Sequence, residues 1–90
     1  MAQAIVDPGE LRRFAHALKI FNGDLRANLS SLHSQLLALS DTWRDQEHER
    51  FVQEYEETMG VLEKFLDISD EHVPFLTRKA ERIEEYMQQR

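Results

Sequence analysis

The sequence predicts an all-α chain, a two-helix antiparallel hairpin that dimerises into a four-helix bundle. Three observations predict it. Leu11, Leu18, Leu25, Leu32 and Leu39 recur at an unbroken seven-residue spacing, the period at which a helix buries one seam. Val52, Met59, Leu66, Val73, Ala80 and Met87 repeat that spacing in the second half. Between the two runs lies a short polar stretch holding the chain's one tryptophan, Trp43, and a short connection forces neighbouring helices antiparallel. Ninety residues allow one domain, 1–90.

The first helix is expected over about 8–40. Asp7 fits its N-cap, Pro8 the first helical position where a missing N–H costs nothing, and Glu10 the third position of a capping box. Val6 and Leu11 are placed as a hydrophobic staple across the cap. The leucines' apolar partners come three residues later at first (Phe14, Phe21) and four residues later afterwards (Leu29, Leu36), with Asn28 and Gln35 at the strict heptad positions. That drift keeps one face of a nearly straight helix on a flat seam. Continued one step it pairs Leu39 with Trp43, so the tryptophan is expected to extend the buried stripe and plug the hairpin tip. Display as a recognition residue is the other reading of Trp43.

The connection, about 41–45, is written in short polar residues around Trp43, Arg44 and Asp45, which favour caps and turns by bonding the backbone. Two caps for the next helix are open: Thr42 with Asp45 as a capping box, or Asp45 itself.

The second helix is expected over about 45–88. Its main stripe is Phe51, Tyr55, Met59, Leu62, Leu66, Val73, Leu76, Ala80, Ile83 and Met87. A second stripe, Val61, Phe65, Ile68 and Phe75, lies about 100° round the helix. Between 61 and 76 the apolar face is therefore too wide for one partner helix, and those four residues are the expected dimer interface. Pro74 removes a backbone bond and clashes with the preceding turn, so a kink near 70–74 is expected, bending the last turns over Ile5 and Val6.

Composition narrows the function. A net charge of −6 argues against nucleic acid, which needs a basic surface. Residues 41–71 hold eleven acids against Arg44, Arg50 and Lys64, a net of −8, while the segments on either side each come to +1. Antiparallel hairpins would bring each acidic tip toward the other's basic open end, with Arg12, Arg13, Lys19, Arg78, Lys79 and Arg82. There is no cysteine for a disulfide or thiolate metal site. No stretch approaches the roughly 18 apolar residues of a membrane span. The amino terminus lacks the basic start and apolar run of a cleavable leader.

No chemistry-bearing constellation emerges. The nearest metal-type spacing, Asp45 to His48, has no second copy. The serines around His33 lack an orienting acid, and no glycine-rich phosphate loop exists. Neither a catalytic residue, nor a metal, nor a cofactor is expected, and the chain reads as a binding protein rather than an enzyme.

The whole pattern resembles the WXG proteins of type VII (ESX) secretion, which include the early secreted antigen. Length, two long heptad helices, absence of cysteine and of a leader, and tryptophan in the turn carry the likeness. It implies an antiparallel homodimer, or a heterodimer with a WXG-like paralogue, exported folded by a membrane secretion ATPase and sometimes accompanying a larger effector. The family's turn is Trp-x-Gly, where this chain has Trp43-Arg44-Asp45. Its tail signal is a tyrosine with an acid four residues on, where this chain has Tyr86 and Arg90. The resemblance thus implies secretion without a cleavable leader. A cytoplasmic adaptor or structural coiled coil, holding another protein's helices with the same surface, is the alternative that the missing tail acid favours.

Overall fold

The computed structural model describes residues 6–89. Ile5 and Arg90, which enter the expected kink and tail signal, lie outside them. Two helices fill the described chain: α1, Pro8–Leu39, and α2, Gln46–Gln88. They lie antiparallel in a slender body of 68 × 22 × 14 Å.

The ends of the helices are set by named side chains. Asp7 has extended backbone and its carboxylate accepts from the Gly9 N–H at 2.8 Å, with Pro8 at the first helical position. At the tip, the N–H of Ser40 and of Trp43 reach back to the carbonyls of Leu36 and Leu39. Asp45 is the cap of α2, its carboxylate accepting from the His48 N–H at 2.9 Å. Thr42 does not complete a capping box. Its hydroxyl donates instead to the Leu39 carbonyl at 3.3 Å, satisfying the end of α1. Further along, α2 runs as one helix through Pro74. Pro74 and Asp70, whose carbonyl loses its helical partner there, are both exposed, so water meets the group that the proline leaves free.

The seam between the helices follows an alternation of three and four residues, broken once on α1 between Leu29 and Leu36, where Leu32 and His33 are exposed. From α1 it takes Leu11, Ala15, Leu18, Asn22, Leu25, Leu29 and Leu36; from α2, Val52, Tyr55, Met59, Leu62, Leu66, Ser69, Val73, Leu76, Ala80 and Ile83. This corrects the expected partners in the first half of α1. Phe14 and Phe21 are more than half exposed, and the buried residues beside the leucines are Ala15 and Asn22, one position further on. A residue four after each leucine returns to the inward direction; a residue three after it falls on the flank. Phe51 and Met87 likewise stand outside the seam, both exposed, with Val52 taking the inward place near the tip. Ala15 and Ala80, both fully buried near the open end, let the two backbones approach there.

In the middle of this seam sit two buried polar residues, Asn22 at 2 % exposure and Ser69 at 5 %. Burial of such groups is tolerable only when they are paired. The Ser69 hydroxyl donates to the Asn22 side-chain oxygen at 2.9 Å, and the Asn22 amide donates to Asp70 at 3.0 Å. Reversing the amide would aim its oxygen at a carboxylate, so the neighbours fix its orientation. Asp70 in turn accepts from Arg26 at 2.6 Å, and Arg26 reaches Asp67 at 3.4 Å. A shift of one helix along the other would leave Asn22 and Ser69 buried and unpaired, so the network holds the register.

Two outcomes follow. Asn22→Ala strands a buried hydroxyl and is expected to lower unfolding free energy by about 1–3 kcal/mol in a urea melt. The Arg26 hydrogen bond holds the Asp70 carboxyl below the usual range, with the Asn22 amide helping and burial opposing. Arg12 does the same to Glu84. A lowered folded-state pKa gives stability that is present at neutral pH and is lost as pH falls through the carboxylate range, about 4 and downward. Asp70→Asn and Glu84→Gln should each flatten that acid limb in melts followed across pH; unchanged slopes would contradict the assignment.

Candidate functional site

Because the register is fixed, the residues flanking the seam sort into two unlike rows. On one flank, Arg12, Lys19 and Arg26 of α1 run past Glu56, Glu63, Asp70 and Glu84 of α2. Arg12 grips Glu84 with two nitrogens, at 2.7 and 3.1 Å, and Arg26 pairs with Asp70. These pairs are solvated, so they add orientation more than stability.

The other flank is apolar and open. Phe14 and Phe21 project from α1, and Phe65 from the matching row of α2. The adjoining row of α2 carries Val61, Ile68 and Phe75. The four expected interface residues, Val61, Phe65, Ile68 and Phe75, are 46–69 % exposed, and Leu32 and Leu39 are exposed on the same side of the seam. Phe14 and Phe21 belong with this face rather than with the core. Their three-residue offset from the leucines was the available signal, and it reads correctly once taken as a flank.

The magnitude of this exposure is large. A compact monomer of this mass exposes about 5,500 Å², whereas this chain exposes 7130 Å². Among the described residues the buried apolar core is Ala15, Leu36, Tyr55, Leu66 and Ala80. A standard protein interface covers about 800 Å² per partner, so the excess of about 1,600 Å² is roughly twice what one such interface would cover on this chain.

At the tip, Trp43 is half-buried. Its ring stands edge-on to His48 with centroids 5.0 Å apart and lies 5.9 Å from Phe51, which is 6.1 Å from Tyr55. The Ser40 hydroxyl donates to the Leu36 carbonyl, so its lone pair accepts from the His48 Nε2–H at 2.8 Å. Aromatic stacking on the first turns of α2, rather than insertion deep into the seam, therefore holds the tryptophan. Arg44 is exposed, and Asp45 has a backbone φ of −101°. That is ordinary extended backbone, so this position requires no glycine.

The basic open end is partly committed within the chain. Arg12 is held by Glu84, while Arg13, Lys79 and Arg82 make no ion pair among the described residues. Tyr86 is exposed in the last turns of α2. Among the described residues no three His, Asp or Glu side chains stand close enough to hold a metal, and no helix is long and apolar enough to cross a membrane.

A family model described as WXG100, proteins of 100 residues with WXG, matches residues 3–86. No curated protein and no solved structure matches the chain.

The tip geometry sets two expectations. Trp43→Ala should cost about 2 kcal/mol, below the 3–5 kcal/mol of a fully buried aromatic, with Trp43→Phe nearer the parent in thermal melts. Asp45→Ala should cost about 1 kcal/mol and Asp45→Gly only a few tenths, since glycine is itself a tolerated cap. Equal losses for both Asp45 variants would remove the cap from the account.

Proposed function

This chain belongs to the WXG100 family, and from that premise we propose that it is a non-enzymatic substrate or export partner of a type VII-like secretion system, working as an antiparallel dimer. The carrying observation is the open face of Phe14, Phe21, Val61, Phe65, Ile68 and Phe75 beside a seam that is too thin to stand alone. Large exposed apolar faces mark interaction surfaces.

The rows of that face support a particular register. Read along α2, the outer row is Glu47, Glu54, Val61, Ile68, Phe75, Arg82, and the row beside it is Phe51, Thr58, Phe65, His72, Lys79, Tyr86. Two antiparallel copies stacked face to face have their two-fold axis across the helices, which lays α2 over α2. With Ile68 on that axis, Val61 meets Phe75 and Glu54 meets Arg82, and Phe65 sits beside the partner copy's His72. On α1 the same level falls between Phe21 and Asn28. Acid meets base and apolar meets apolar in this arrangement, whereas a parallel pairing stacks each acidic tip on its like. A WXG-like paralogue with the same row pattern would be taken by the same face.

The absence of native cysteine makes the register testable. Ile68→Cys is expected to form an intermolecular disulfide under mild oxidation. Val61→Cys alone should not, but Val61→Cys mixed with Phe75→Cys should. Failure of Ile68→Cys while Val61→Cys links to itself would refute the register.

A second reading is favoured by one observation: no acid stands four residues after Tyr86. In that reading the same face serves a cytoplasmic adaptor that holds another protein's helices. Expressing the chain beside a type VII system and comparing culture medium with lysate separates them. The export reading expects the chain in the medium, dependent on the secretion ATPase. Retention in the lysate with the dimer intact would leave the adaptor.

A further inference from the structure

The charged flank has a gap in it. Between Arg26 and the tip, the helices leave a groove of about 470 Å³ on the side of the seam away from the aromatic face. Leu29, Met59 and Leu66 make its floor together with Tyr55, and Glu56 and Glu63 stand on its rim. Tyr55 is only 9 % exposed, its ring stacked 6.4 Å from His33, and its buried hydroxyl has no hydrogen-bond partner.

Two further observations point outward. The acids nearer the open end of this row, Asp70 and Glu84, are taken by Arg26 and Arg12, while Glu56 and Glu63 have no cation partner among the described residues. Gly60 also lines the groove, and nothing lies within 4 Å of where its Cβ would be. Glycine is the poorest helix former after proline, and no neighbour within the chain demands it here. The position has room for a side chain, as Gly23 on α1 also has, and at the groove it leaves the helix backbone open to close approach from outside.

We propose that this groove is a docking site for a basic segment of another protein, carrying one medium-sized apolar side chain. The apolar group seats on Leu29, Met59 and Leu66, with methionine adapting to its shape. Lysines or arginines beside it meet Glu56 and Glu63, and its backbone passes over Gly60. The site stands independently of the dimer, because it faces away from Val61, Phe65, Ile68 and Phe75 and stays open when that face is covered.

The test uses the full chain and a labelled, end-capped helical peptide with one leucine flanked on each side by lysines, followed by fluorescence anisotropy. Saturable binding is expected. Replacing the peptide's leucine with alanine, at unchanged charge, should weaken it about tenfold, the loss of one buried apolar side chain. Gly60→Leu should block the groove while melting no lower than the parent, since leucine favours the helix. Val61→Ser and Ile68→Ser, which disturb only the proposed dimer, should bind like the parent. No binding would overturn the proposal. So would equal binding of the leucine and alanine peptides, or parent-like binding by Gly60→Leu, because attraction to the acidic surface at large would then suffice.

Discussion

The pairing of Asn22 with Ser69 is the constraint from which the rest of the hairpin follows. Leucine heptads alone tolerate sliding, because one leucine packs against another nearly as well one turn along. A buried amide and hydroxyl do not, since each displaced register leaves both without partners in a dry seam. The chain therefore gives up apolar area at the centre of an already thin core in exchange for one alignment. Asp70 and Arg26 extend the same network to the surface, where the Arg26 hydrogen bond holds the Asp70 carboxyl below its usual range.

Once aligned, the two flanks of the seam are different surfaces. One closes on itself through Arg12 with Glu84 and Arg26 with Asp70. The other gathers Phe14 and Phe21 from α1 with Phe65, Ile68 and Phe75 from α2, and nothing among the described residues covers it. A two-helix chain has no third element to supply that cover, so the fold and the proposed assembly are parts of one energetic problem. The antiparallel arrangement suits both terms. It stacks apolar row on apolar row and sets the acidic tip against the open end, where Arg13, Lys79 and Arg82 lie free of ion pairs among the described residues.

The helices, their antiparallel order and the caps Asp7 and Asp45 were legible because each depends on local chemistry: period, short polar residues and a proline at the first helical position. The stripe Val61, Phe65, Ile68 and Phe75 was legible for the same reason, as a second row too far round the helix for one partner. What misled was residue type. Ala15 and Asn22 do not look like core beside Phe14 and Phe21, and hydrophobicity alone puts the phenylalanines inside. Alanine is buried there by the packing of α2 across the seam, and asparagine by Ser69 and Asp70 some 47 and 48 positions away. Such partners exist only after folding. The groove over Leu29 and Met59 was hidden likewise, since its lining is drawn from both helices.

The central claim is that the charged flank is tied across by Arg12 with Glu84 and Arg26 with Asp70, while the aromatic face is closed by an antiparallel copy stacked along its length. Small-angle X-ray scattering at micromolar concentration, with absolute intensity calibration, tests it most directly. The account expects a particle of twice the chain mass whose maximum dimension stays near the 68 Å length of one hairpin, because face-to-face stacking adds thickness and not length. A particle of single-chain mass, or a two-chain particle close to twice that length, would contradict it.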